Sequence, residues 1–330
     1  MTNRERFQAL MNFEPVDRLP MVEWAGWWDQ TIERWQGEGL SAEMRDPHTI
    51  RSWFGLDSYR QEWLRPRGAG FPAPAHHGAG VLNNEAEYEA LLPTLYTNHF
   101  NLDAWRGWAE EQARGETVTW ITLEGYFWFP RTLFGIENHL YAFYDQPELM
   151  HRMNQDLTDY HLRMLDELCE ICTPDFMTFG EDMSYNHGPM LSKDLFDEFM
   201  LPYYRQLVPE LHKRGILAII DSDGDITESV PWFEEAGLDG ILPLERQSGV
   251  DLAVIRDRHP RMRFIGHFDK MIMHHGEAAL RAEFERLMPV ARQGGFIISV
   301  DHQTPPGVSL EDYRLYLRLF QEYAQSCGTV

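Results

Sequence analysis

Cysteine is scarce in this chain: Cys169, Cys172 and Cys327 are the only three in 330 residues. A disulfide scaffold is excluded. The CxxC pair closes the periodic run MLDELCEICT, where both thiols read as core-facing residues near a helix end. Basic residues are also few, 29 against 52 acidic ones, for a net charge of −23. That balance argues against a nucleic-acid partner or an anionic membrane surface. No apolar run approaches the ~18 residues of a membrane span. The opening MTNRERFQAL places charge where a signal peptide needs an apolar stretch, so a cytoplasmic protein is expected. No GxGxxG or GxxxxGK[ST] turn is present, which disfavours dinucleotide and P-loop folds. His76–His77 and His274–His275 are adjacent pairs without HxH spacing, so the first ligands of a zinc amidohydrolase barrel are missing.

What is present is a recurring pattern in the second half, a short apolar run that ends in acid. FMTFGED ends in Glu181 and Asp182, LAIIDSDGD in Asp221, Asp223 and Asp225, GILPLE in Glu245, RFIGHFD in Asp269, and FIISVDH in Asp301 and His302. Apolar runs of this length bounded by Gly and polar residues read as buried parallel strands. Helical stretches separate them: a long one over 147–172 opening on Pro147, one over 193–213 that Pro202 and Pro209 must kink or split, and a final one over 309–324. The composition, 43% hydrophobic and 25% charged, allows a sizeable core. The expected fold is α/β, a single (β/α)8 TIM barrel over 1–330. Residues 1–115 form an irregular N-terminal part with early strands, the first at LPMVEW, and 116–330 carry the regular units. The carboxyl ends of the strands would then converge on the face where such barrels do their chemistry.

Each candidate residue carries a plainer alternative. Asp221 and Asp223 leave a strand in a small-residue turn and could share a metal, a cation or a hydroxyl, while helix capping is the alternative for Asp223 and the main reading for Asp225. His302 could act as a general acid or a metal ligand, with Asp301 orienting it or sharing its ligand. Of the adjacent Glu181 and Asp182, one must face the barrel and the other the wall. Glu245 and Asp269 stand between a site role and structural ion pairing. Trp24, Trp27, Trp28, Trp120, Tyr126, Phe127 and Trp128 are core candidates individually. Collectively they could wall a pocket for a methylated cation or a methoxylated ring.

The chain resembles the uroporphyrinogen decarboxylase-like superfamily of (β/α)8 barrels. RERFQALMNFEPVDRLPM looks like its N-terminal signature, GEDMSYNHGPMLSKDLFDEFMLPYYRQLV matches its central one, and IIDSDGDI, GLDGILPLE, GHFDKMIM and SVDHQTPPGVSLEDY follow in the family's order. The resemblance weakens between about residues 25 and 115. The decarboxylase carries an RQAGR motif that grips substrate carboxylates; here the corresponding stretch is VEWAGWWDQ, with Glu23 and Asp29 and no arginine. An acidic, aromatic mouth would repel an eight-carboxylate substrate. The thiol-directed methyltransferases of the superfamily hold zinc with His-x-Cys and a later Cys, where this chain has Asp221, Asp223, Asp301 and His302. The resemblance therefore implies a methyltransferase moving a methyl group from a small donor, a methyl ether or methylamine, to a corrinoid-carrying partner protein. Catalysis would fall to Asp223, His302, Glu181 and Asp221, and a divalent metal such as zinc would sit on Asp221, Asp223, Asp301 and His302. Trp24, Trp27, Trp28, Trp120, Tyr126, Phe127, Asp182, Glu245 and Asp269 would bind the donor, and a homodimer is compatible with the family. The alternatives are a decarboxylase or lyase acting on a smaller substrate, and a non-catalytic barrel that binds a small molecule.

Overall fold

The computed structural model describes residues 1–97 and 100–328. Seven parallel strands form one sheet: β1 (Tyr59–Leu64), β2 (Val118–Glu124), β3 (Phe176–Gly180), β6 (Leu217–Asp221), β7 (Gly240–Leu242), β8 (Arg263–Phe268) and β9 (Phe296–Val300), neighbours in that order. A short antiparallel hairpin, β4 (Ser184–Tyr185) and β5 (Gly188–Pro189), follows β3. Helices connect the parallel strands, as parallel pairing requires.

The expected eighth strand at residues 19–24 does not form. That segment instead lies between β9 and β1 and reaches both edges by isolated bonds. Trp24 donates its backbone N–H to Ser299 Oγ at 3.2 Å and its indole N–H to the Val300 carbonyl at 2.7 Å. On the other side, the Asp57 N–H reaches the Met21 carbonyl at 2.9 Å and the Tyr59 hydroxyl the Glu23 carbonyl at 2.5 Å. Side chains serve in three of these four bonds, so no ladder propagates.

Elsewhere the sequence pattern translates directly. The helix Pro147–Cys169 buries Leu149, Met153, Leu157, Tyr160 and Met164 along one stripe. The stretch 193–213 splits at Met200 into Lys193–Phe199 and Leu201–Lys213, with Pro202 in the first turn of the second helix where its missing N–H costs nothing. Cys172 is buried just past a helix end and all three cysteines are free. The N-terminal helix Asn3–Met11, closed by a Thr2–Glu5 capping box, stacks Phe7 on Phe176 at the start of β3. It covers the amino-end face of the sheet, which leaves the opposite face for the strand-end acids. Among the described residues no helix is long and apolar enough to cross a membrane.

Candidate active site

Register sets the level of the acids. Gly180 pairs with Asp221 across β3 and β6, so Asp182 lies just beyond the strand end at the height where Asp221 closes the next. Asp182 (φ 41°) turns toward the cavity in a left-handed conformation uncommon for a residue with a side chain. Asp223 lies two residues past Asp221, in a turn where Gly224 has φ 83° and a Cβ would meet the backbone of Tyr185 at 2.7 Å. Only glycine admits that close crossing of the hairpin. One carboxylate oxygen from each of Asp182, Asp221 and Asp223 lies within 4.8 Å of the others.

The three acids line a cavity of about 410 Å³. Trp24, Trp63 and Trp120 form its aromatic wall, Gln61, Thr122 and Gln303 its neutral polar part, and His302 stands beside the acids. No arginine or lysine is among its described lining residues. Gln303 donates its N–H to His302 Nδ1 at 2.9 Å, so the neutral ring carries its proton on Nε2, which faces Asp223 Oδ2 at 3.7 Å. A ring bonded in this way offers a donor toward Asp223, whereas a metal would need the lone pair of Nε2.

Burial raises the carboxyl pKa of all three acids, and repulsion from neighbouring acids of the cluster adds to it at Asp221 and Asp223. Asp221 is pushed well above its usual range by burial and then by Asp182 and Asp223. Asp223 is pushed up to about 7 by burial, Asp182 and Glu245. Asp182 is raised by burial against a bond from the Asp223 N–H. His302 is lowered by burial and by the Lys270 ammonium, which favours the neutral ring.

The remaining candidates divide by what they touch. Glu181 does not line the cavity. Its carboxylate accepts the N–H groups of Tyr126 and Phe127 at 2.7 Å and of Trp128 at 3.1 Å, together with the Tyr204 hydroxyl, and so holds the start of the helix Trp128–Phe134. A Cβ on Gly125 would overlap that carboxylate at 2.0 Å, which explains the glycine. Asp301 makes no bond to His302. It pairs with Lys270 Nζ at 3.1 Å and accepts the Arg246 N–H at 3.0 Å, so its place in the acid cluster is taken by Asp182. Glu245 accepts from the Gly224 N–H and the Ser248 hydroxyl, with Lys270 4.0 Å away. Asp269 caps a single turn through the Met271 N–H and takes Gln247 Nε2 at 2.7 Å.

Of the aromatic candidates, Trp24 and Trp120 reach the cavity. Tyr126 and Phe127 are fully buried elsewhere, Trp27 packs against Trp35, Phe54 and Tyr313, and Trp28 is 47% exposed outside the cavity. Glu23 is not at the mouth: it is buried and accepts from Ser299, Val300 and Tyr316. Asp225 accepts from the N–H and hydroxyl of Thr227, as a capping residue does. Sequence reasoning did not single out the lining residues Thr122 and Gln303, and it also missed Trp63 and Gln61. The latter two alternate inward on β1, whose run YRQEWL is too polar to read as a buried strand.

Residues 122–323 match the sequence profile of the uroporphyrinogen decarboxylase (URO-D) family. The chain belongs to the URO-D family. No curated protein matches this URO-D member in sequence. Among solved structures it is similar to a methyltransferase from Methanosarcina mazei, with 13% identity and a TM-score of 0.67 over 98% of this chain and 99% of that one. A B12-independent methionine synthase from Shewanella sp. W3-18-1 aligns at 13% identity and a TM-score of 0.44, over 70% of this URO-D chain and 66% of the other. The likeness to the Methanosarcina mazei structure shows a shared fold, and the chemistry of this URO-D member has to be argued from its own residues.

Proposed function

We propose that this chain is an enzyme that transfers a methyl group from a small donor, a methyl ether or methylated amine, to a cobalt corrinoid carried by a partner protein. One observation carries the reading: the cavity at the strand ends combines three carboxylates and three indoles with no arginine or lysine among its described lining residues. A polycarboxylate, the substrate type in the family's name, would enter a site that repels it. The Methanosarcina mazei structure, described as a methyltransferase, shares the fold along the whole chain and supports the same reaction class.

When bound, the corrinoid would supply a strong nucleophile for the methyl group. This chain's residues would hold the donor. Trp24, Trp63 and Trp120 present apolar surface to the methyl-bearing part, and the acids set the charge of the opposite wall. The Nε2–H of His302 is the donor closest to Asp223, placed to hydrogen-bond a leaving heteroatom. A divalent metal, if bound, would be held by Asp182, Asp221 and Asp223 and would polarise that heteroatom as a Lewis acid. Asp301 does not belong to such a set, because Lys270 already occupies it.

The test is methyl transfer from a donor panel to added cob(I)alamin, read by loss of the cob(I)alamin spectrum. Asp223→Asn should fold normally and lower the rate by about 100-fold or more with any donor, and His302→Ala should do so with a methyl ether, whose leaving oxygen needs the Nε2–H donor. Unchanged rates in both would overturn the proposal. Family membership favours one other reading, a decarboxylase acting on a small substrate, with His302 protonating the carbanion. Carbon dioxide release without cobalt would establish that reading instead.

A further inference from the structure

We infer that the cavity selects a methylated ammonium ion over a neutral methyl ether, an assignment of substrate class that rests on the methyl-transfer reading above. The argument is an inventory of what the lining can offer. The indole N–H groups of Trp24 and Trp120 are tied to the Val300 carbonyl at 2.7 Å and to Thr178 Oγ1 at 2.9 Å, so neither is available to a ligand. Gln61 Nε2 donates to Thr122 Oγ1 at 2.9 Å, and that hydroxyl is shared with Thr178. The Trp63 indole N–H and the Gln303 amide bond to no described residue and stay open to a ligand, and His302 Nε2–H is turned to Asp223, so the donors present are neutral and cannot offset the charge of the acids.

Acceptors are in excess. Asp182 takes one weak bond, from the Asp223 N–H at 3.4 Å, and the carboxylate of Asp221 takes none from any described residue. The nearby cations bond elsewhere and reach the acids only through space, Lys270 acting on Asp223 and Arg131 on Asp182. Lys270 is held by Asp301 and Gln247, Arg131 lies over Trp128 and donates to the Asp182 carbonyl, and Arg65 lies over the Trp63 ring at 4.7 Å.

Three ligand classes can be weighed against that inventory. A divalent ion uses the acids and leaves the indoles without a role. A methoxylated ring uses the indoles, leaves the acids uncompensated, and needs a donor for its departing oxygen. A methylated ammonium ion uses both walls: its charge meets the carboxylates and its methyl groups meet aromatic surface. Its chemistry also needs no proton donor. The carbon–nitrogen bond breaks with its electron pair staying on nitrogen, the methyl carbon passes to the corrinoid nucleophile of the partner, and the amine leaves neutral without taking a proton.

The probe pair is choline and its uncharged carbon isostere 3,3-dimethylbutan-1-ol, titrated calorimetrically into the full chain with and without a chelator. Choline should bind at least about 10-fold more tightly. Trp63→Ala, at a position 38% exposed and therefore tolerant of truncation, and Asp221→Asn should each remove most of that preference. Equal or tighter binding of the isostere, or tighter binding of methoxybenzene, would overturn the inference. So would choline binding that requires added Mg²⁺, Mn²⁺ or Zn²⁺, since the acids would then belong to a metal. Selective choline binding without methyl transfer to cob(I)alamin supports the ammonium site and removes the transfer reading. Transfer from methoxybenzene but not from choline does the reverse.

Discussion

Two groups of strand-end acids arise from the same sequence pattern and meet different fates. On the β3 and β6 side, Asp182, Asp221 and Asp223 face a cavity and one another. On the β7 to β9 side, Glu245, Asp269 and Asp301 are answered by Lys270, Gln247 and backbone N–H groups. Burial raises the Asp301 carboxyl as well, but there Lys270 and two amides oppose it, whereas for Asp221 the neighbouring acids reinforce it. The position of an acid at a strand end therefore does not make it part of a site. What distinguishes the groups is whether the protein supplies the counter-charge itself or leaves it to a ligand, and Lys270 is the residue that draws the line.

The sharpest way to break this contrast is to remove a self-compensated acid. Asp301 is fully buried, and Asp301→Ala would strand the Lys270 ammonium and two N–H donors. We expect a loss of about 3 kcal/mol in urea unfolding, as for other buried pairs broken on one side. The double variant Asp301→Ala/Lys270→Met should recover part of it, because the orphaned charge goes too. If Asp301→Ala costs nothing, the two groups of acids are not different in kind.

Glu23 sharpens the comparison from a third position, an acid with hydrogen-bond donors but no paired cation. Burial pushes its carboxyl up to about 7, against bonds from Tyr316, Val300 and Ser299 and the field of Arg51. The unfolded chain releases this proton near 4.5 while the folded one retains it, so the folded state binds more protons between those values. Stability from this group is therefore full below pH 4.5, falls as pH rises to about 7, and is flat above. Glu23→Gln should remove the slope, a relative gain of at most about 3 kcal/mol at pH 8 over pH 5. Parallel pH profiles for the two proteins in urea titrations would show that Glu23 is ionised throughout.

These contrasts also mark what the chain of residues disclosed. The run-then-acid pattern located the strands β3 and β6 to β9 and the level of their ends, because buried parallel strands leave a continuous apolar trace. Adjacency also implied that Glu181 and Asp182 would part, though not that Asp182 would be the one to reach the cavity. It could not say that Asp301 would meet Lys270, since that contact depends on a turn after β8 whose geometry no local pattern encodes. β1 was illegible for a different reason. Its outward residues are charged, with Arg60 bonded to Glu111, so Gln61 and Trp63 were hidden inside a run that looks like a loop. Residues 19–24 erred the opposite way: an apolar run suggested a strand, and side-chain bonds from Ser299 and Tyr59 took the place of a ladder.

The smallest expected effect is the most discriminating. Asp221 takes no bond from a described residue and is repelled by Asp182 and Asp223, so its carboxylate costs the folded state energy that a ligand is there to recover. Asp221→Asn keeps the shape and removes that repulsion. In the free protein it should raise stability by about 1 kcal/mol at pH 8, the usual sign for a residue kept for function at the expense of the fold. The same substitution in the self-compensated group, Asp301→Asn, should lower stability under the same conditions, because Lys270 loses its nearest carboxylate. Opposite signs for one chemical change at two neighbouring strand ends would establish that the β3 and β6 acids are held in readiness for a cation. A destabilised Asp221→Asn would mean that this carboxylate already has a structural partner, and the cation site would have to be sought elsewhere.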